Sequence, residues 1–218
     1  MNRYFIACST LLLALSGNST GTRCIAADHY RAELTSAGVL LGGQMISSEA
    51  SVGTAILRVE YDEIDLENAI IYYEVNAEGL DFDGTHTPAL GDDATAVHFH
   101  DITTCVSPAC IAADTAGTKH VLNAFGVPRE DDADLEIFAS EHRIVGRWDR
   151  SDANTMTPAP SLAPSQILDP LAKGEIYLII HSRDNPQGAI GGQFLLVPEP
   201  SGPTLLIIGL IAIVRRLR

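Results

Sequence analysis

Three histidines stand where the geometry of an extended chain can bring them to one point. In Ala96-Val97-His98-Phe99-His100-Asp101, alternate residues of a strand share a face, so Val97 and Phe99 point one way and His98 and His100 the other. Their Cβ atoms are then about 6.5–7 Å apart along the strand. Two imidazoles at that spacing can converge on one ion, each nitrogen at about 2.0–2.1 Å. In Glu175-Ile176-Tyr177-Leu178-Ile179-Ile180-His181 the apolar phase is Ile176, Leu178 and Ile180, which puts His181 on the opposite face. If the two strands are neighbours, His98, His100 and His181 form a three-imidazole site for copper or zinc with an open coordination position. The plainer reading makes all three polar, outward positions of half-buried strands.

Other residues with chemical potential are sparser. Cys105 and Cys110, separated by Val-Ser-Pro-Ala, are expected to pair as a disulfide in an oxidising compartment. So short a loop limits the gain to roughly 2 kcal/mol and makes the bond a local turn clamp. A metal site on these two thiols would need a second cysteine pair, and the chain's other two, Cys8 and Cys24, fall in an N-terminal segment expected to be removed. Asp81-Phe82-Asp83-Gly84 opens like a calcium loop but lacks the later ligands and the closing Glu, and reads as an acidic turn. Arg129-Glu130-Asp131-Asp132-Ala133-Asp134 reads as a solvated charge run. The chain contains no Gly-x-Ser-x-Gly elbow, phosphate-binding Gly-rich loop or dinucleotide fingerprint. With 28 acidic against 14 basic residues, it repels phosphate backbones, which argues against nucleic acid as a partner and favours cations and basic surfaces; the plainer reading is acidity that keeps the protein soluble outside the cell.

The elements that must position the histidines are strands. Apolar and polar residues alternate with period two in short stretches bounded by Gly, Pro, Asn and Asp, and helical periodicity is nearly absent. The pattern predicts strands over Tyr30–Leu34, Gly53–Tyr61, Ala69–Val75, Ala94–His100, Val121–Phe125, Leu135–Ala139, Arg143–Trp148, Glu175–His181 and Ala189–Val197. Nine short strands imply an all-β domain, an antiparallel β-sandwich or flattened Greek-key barrel. The Pro-, Ser- and Thr-rich segment Asp149–Leu168 is expected to be a long exposed loop.

Both ends read as processing segments around one domain over residues 28–197. Residues 1–27 have the form of a secretory signal: Arg3, the apolar stretch Tyr4–Leu15, then Cys24-Ile25-Ala26-Ala27, with cleavage expected after Ala26 or Ala27. At the other end, residues 198–218 carry an apolar run of eleven residues, Thr204–Val214, followed by Arg215, Arg216 and Arg218. At about 1.5 Å per residue it reaches roughly 16 Å, against a bilayer core of about 30 Å. It is too short for an ordinary permanent span, yet its basic end is oriented as a cytoplasmic flank. The alternative is a buried C-terminal helix, from which the Pro198-Glu199-Pro200 and Ser201-Gly202-Pro203 breakers argue away. Losing both ends removes Arg3, Arg23, Arg215, Arg216 and Arg218 but only Glu199 among the acids, so the remaining domain is more acidic still.

Val197-Pro198-Glu199-Pro200, the apolar run and the closing Arg215-Arg216-Leu217-Arg218 together resemble the PEP-CTERM sorting signal of bacterial envelope proteins. That resemblance implies processing by an exosortase-type machinery at the inner membrane, with transient or retained anchoring. It also implies a place in the cell envelope or outside it, among envelope or exopolysaccharide components. A second resemblance covers the rest of the chain. Gly174-Glu175-Ile176-Tyr177-Leu178-Ile179-Ile180-His181-Ser182 followed by Asn185-Pro186-Gln187-Gly188-Ala189-Ile190-Gly191-Gly192-Gln193-Phe194 is similar to the C-terminal signature of the CHRD (chordin-type) domain. His98-Phe99-His100 matches that family's His-x-His element, while Asp101 and Gly191 stand where the family commonly has Gly and Arg. The resemblance implies an extracellular β-domain acting as a structural, adhesive or binding module without a common catalytic activity. The alternative is a metalloenzyme similar to copper/zinc superoxide dismutase, for which His120, His142 and Asp149 would have to complete a second metal centre and Arg183 would attract the anion.

Overall fold

Strands form here because β-branched and aromatic residues fall in period two against small or charged ones. The computed structural model describes residues 25–41, 44–45, 50–62, 64–102, 119–126, 132–153 and 161–198. In chain order the strands are β1 (Ile25–Thr35), β2 (Leu40–Leu41), β3 (Gln44–Met45), β4 (Val52–Asp62), β5 (Asp65–Glu78), β6 (Ala94–Asp101), β7 (Lys119–Gly126), β8 (Glu136–Phe138), β9 (Arg143–Trp148), β10 (Ile176–Ser182), β11 (Ile190–Gln193) and β12 (Leu195–Leu196). Among the described residues one α-helix, α1, spans Pro164–Ala172. Eight of the nine expected strands are present as single strands, with ends moved by up to five residues, and the ninth is split into β11 and β12. β2 and β3 add a two-stranded hairpin.

The other ten strands form one antiparallel sheet in the order β7-β6-β10-β11-β1-β4-β5-β9-β8, with β12 beside β1. The sheet is curled. Phe99 of β6 meets Tyr73 of β5 at 5.6 Å and Trp148 of β9 at 6.0 Å between ring centres, although four strands separate β6 from β5 along the sheet. Only a sheet folded onto its own inner face brings those rings together, and the outcome is the sandwich-like or half-barrel arrangement expected of the pattern. The two outer ends approach through the intervening segments: Asp132 N–H donates to Ala124 of β7, Leu162 N–H donates to Val121 of β7, and Trp148 Nε1–H donates to Leu162.

Two expectations need correction. The Asp149–Leu168 segment is not loop throughout, because α1 begins at Pro164. A proline at the first helical position lacks only an N–H that would have no intrahelical partner, and the Gln166 side chain accepts from Ala163 N–H. Ile167 and Leu171, one helical turn apart, are fully buried against the sheet. So short a helix offers too few apolar positions for its period to outweigh its prolines. Ala189–Val197 is likewise not one strand. Phe194 interrupts it, donating its N–H to Ile176 while its ring stacks on Phe99 at 5.8 Å inside the core. β12 then continues beside β1 alone.

Among the described residues no helix is long and apolar enough to cross a membrane. Residues 1–24 and 199–218, which hold most of both expected signals, lie outside the described residues, as do Cys105 and Cys110.

Candidate metal centre

β6 and β10 are hydrogen-bonded neighbours, as the three-histidine reading requires. Their register sets Ile179 opposite His98, Tyr177 opposite His100 and His181 opposite Ala96. Directly opposed residues share a face, so all three histidines lie on one side while Val97, Phe99, Leu178 and Ile180 fill the core on the other. One ligand atom from each imidazole falls within 4.8 Å of the others. Ring centres are 4.8 Å apart for His98–His181 and 5.9 Å for His98–His100. Two imidazoles bound to one tetrahedral ion hold their ring centres about 5 Å apart and their ligating nitrogens about 3.4 Å apart. Small side-chain rotations therefore bring the trio onto an ion, and the group could hold one.

The plainer reading of these histidines as outward positions is overturned. His98, His100 and His181 are 3%, 1% and 8% exposed. Every residue of β10 is buried, on both faces. Part of the cover is visible on the histidine face: Tyr177 O–H donates to the Gly38 carbonyl at 2.8 Å, and Val39 lies over Ile179 at Gly188. A Cβ at Gly188 would fall 2.7 Å from Val39 Cγ1 and 3.0 Å from Ile179 Cγ2, and its φ of +128° suits glycine alone. A three-residue 3₁₀ turn over Ser36–Gly38 brings this cover across.

The turn between β10 and β11 orients one ligand. His181 Nδ1 lies 3.0 Å from the Pro186 carbonyl. A carbonyl only accepts, so Nδ1 carries the proton and the neutral ring presents Nε2 as its lone-pair nitrogen. This is the outer support that metal-binding histidines commonly receive. The turn is braced by Gly188 N–H to Asn185, Ala189 N–H to Ile180 and Asn185 N–H to Ser182 Oγ. Burial pushes the Tyr177 phenol, next to His100 across the strands, up to about 12, so it remains a neutral donor.

The second metal centre of the dismutase reading is not assembled among the described residues. His142 Nδ1 faces the Leu80 carbonyl at 3.1 Å, and Asp149 caps the 3₁₀ turn Arg150–Asp152 and pairs with Arg147 at 3.1 Å. The side chain of His120 lies outside the described residues. Arg183 is held by Asp93 at 3.1 Å, which offsets the positive charge that would draw an anion. The acidic turn is confirmed in kind: Asp81 is 1% exposed and its carboxylate accepts from the backbone N–H groups of Asp83, Gly84, His86 and Thr87. Those bonds hold it below the usual carboxylate range although burial pushes the other way.

One polar cluster was not foreseen. Asp132, expected in a solvated run, is buried and accepts from Tyr73 O–H at 2.6 Å. Its side chain also meets Asp152, whose carboxyl is pushed up to about 6, chiefly by burial and then by the neighbouring carboxylates of Asp132 and Asp149. Asp149 N–H donates to Asp152 at 2.6 Å and opposes that shift. Tyr73 and Asp132 are 59 residues apart and Asp152 lies beyond both, so a charged run carries no local signal for them.

Residues 30–194 match the CHRD domain. The chain belongs to the CHRD-domain family. The matched region begins within β1 and ends at Phe194, so it contains the curled sheet almost whole and all three histidines. No curated protein and no solved structure matches the chain. The departure at Gly191 has a local reason in this CHRD domain: a Cβ there would meet the Leu178 carbonyl at 3.0 Å and the Tyr177 ring at 3.2 Å. An arginine would need the space that Tyr177 and Val39 occupy.

Proposed function

We propose that this protein is an exported, non-enzymatic binding module of the cell envelope whose CHRD domain holds one copper or zinc ion on His98, His100 and His181. The convergence of three buried imidazoles from two paired strands carries this reading. Three neutral nitrogen donors suit either ion, and a fourth position is left for water or for a partner's ligand. Family membership supports a binding role, and the acidic surface favours cation capture over attraction of an anionic substrate. Residues 1–27 would direct export, and Val197, Pro198, Glu199 and Pro200 with Arg215, Arg216 and Arg218 would direct exosortase-type sorting. Loss of the leader is compatible with the sheet, because cleavage after Ala26 or Ala27 still leaves Asp28–Thr35 paired with Val52–Val59.

Elemental analysis of the purified full chain after dialysis against copper or zinc tests the metal half. About one equivalent is expected on the trio, absent in His98→Ala/His100→Ala/His181→Ala and weakened below about pH 6.5 as imidazoles protonate. A folded triple variant that holds as much metal as the wild type would refute the site. Fractionation of cells expressing the chain cut after Val197 tests sorting; an unchanged location relative to full length removes that half.

A further inference from the structure

A second pair of histidines lies apart from the trio. His86 belongs to the loop between β5 and β6, and His142 follows the short 3₁₀ turn Ala139–Glu141 that joins β8 to β9. Their ring centres are 5.2 Å apart with planes at 85°. That separation is the about 5 Å expected of two imidazoles sharing one tetrahedral ion. The sequence brings them together only through the fold, since 56 residues part them.

His142 is built into its place. Its φ of 50° makes it the sole described non-glycine residue with positive φ, at a position where glycine or asparagine is the easier choice. Its N–H donates to Ala139, its carbonyl accepts from Ala77 N–H, and its ring Nδ1 faces the Leu80 carbonyl at 3.1 Å. A carbonyl accepts only, so Nδ1 bears the hydrogen and Nε2 is the lone-pair nitrogen, the arrangement that orients a metal-binding imidazole. Strained positions held by several anchors concentrate at functional sites. Its partner is placed by a different device. The buried Asp81 carboxylate gathers four backbone N–H groups, that of His86 among them at 2.7 Å, which shapes the loop while leaving the His86 side chain exposed and able to turn.

We propose that His86 and His142 form a second, solvent-facing cation site that takes a divalent ion of the imidazole-preferring class, copper(II) or zinc, with water completing its shell. Two protein ligands with open positions make an exchangeable site, weaker than a buried three-imidazole one. Acidic residues of the same loop, Asp83 and Asp92, raise the local cation concentration around it. The site stands on geometry of its own and does not depend on the trio.

Titration of the full chain with copper(II) alone, followed by calorimetry with elemental analysis, separates the two. Wild type is expected to bind two equivalents of unequal affinity. His86→Ala, a change of an exposed side chain, removes the weaker one or lowers its affinity at least tenfold, and His142→Asn, which tolerates positive φ, does the same. His100→Ala removes the tighter one and leaves the weaker. A single equivalent lost in His86→Ala but kept in His100→Ala supports the pair while refuting the trio. Two equivalents retained in folded His86→Ala, or one equivalent that only His100→Ala removes, overturns the proposal.

Discussion

The paired strands β4 and β5 and the paired strands β6 and β10 belong to one sheet and live in different surroundings. β5 alternates cleanly, with Ala69, Ile71, Tyr73, Val75 and Ala77 buried and their neighbours at least partly exposed. β10 is buried at every residue, and β6 at every residue but Thr95. A strand with one wet face declares its orientation through period two, whereas a strand covered on both faces reads as a nearly continuous apolar run. A polar side chain on a doubly covered strand is therefore costly unless something engages it. Three imidazoles gathered on the covered face of β6 and β10 are what this comparison makes significant.

The largest expected effect breaks the feature both regions share. Phe99 is fully buried and stands among Tyr73, Trp148 and Phe194, so it joins the two halves of the curled sheet. Phe99→Ala should cost about 3–5 kcal/mol in a urea titration. Ile56→Ala, on the wet face of β4 at 40% exposure, should change stability far less, within about 1 kcal/mol. Equal losses would mean that the curl is not what holds the fold.

The next effect tests what the covered face is for. In metal-free protein, replacing His98, His100 and His181 together by Leu should cost only about 1–3 kcal/mol, since the imidazoles' hydrogen bonds, His181 Nδ1–H to the Pro186 carbonyl among them, are lost while apolar groups of similar size keep the face filled. At a free metal concentration of one hundred dissociation constants of the trio, the wild type should gain about 2.7 kcal/mol from that site, a gain absent from the triple-Leu protein, which keeps only the weaker His86–His142 site. A triple-Leu protein that unfolds several kcal/mol more easily without metal would instead make the imidazoles structural hydrogen-bonding groups.

The same contrast explains what could be read from residues alone. The strands of the one-faced half were legible because Ala69, Ile71, Tyr73 and Val75 obey period two, and the site's phase was legible because His98, His100 and His181 do as well. Burial of that phase was not, because its visible cover comes from Gly38, Val39 and Gly188, distant in sequence and without a pattern of their own. α1 was hidden by its prolines, and the His86–His142 pair by the loop that carries one of its members. Gly146 shows the limit well. It looks like a weak point in β9, yet a Cβ there would fall 2.1 Å from Tyr73 Oη, because the tyrosine ring lies across it from β5. Gly146→Val should therefore cost about 1–3 kcal/mol by displacing Tyr73, and it should also loosen the Tyr73–Asp132 hydrogen bond.

That hydrogen bond leads to the smallest effect, and to the polar group that the apparently simple half conceals. Burial pushes the carboxyls of Asp132 and Asp152 above their ordinary range, with the charge of Asp134 adding to the shift of Asp132 and those of Asp132 and Asp149 to the shift of Asp152. An Asp carboxyl titrates near 3.9 in an unfolded chain, whereas Asp152 in the fold is pushed up to about 6. A group that holds its proton more tightly when folded contributes stability that is complete below about pH 4 and is lost as pH rises through about 6. Other carboxylates titrate over the same window, so the informative quantity is the difference between wild type and Asp152→Asn, which keeps a neutral side chain at all pH. With chelator present to remove the metal term, the urea midpoint of wild type should fall relative to that of Asp152→Asn between pH 4.5 and pH 7.5. A constant difference across that range would mean the pair carries no proton into the fold.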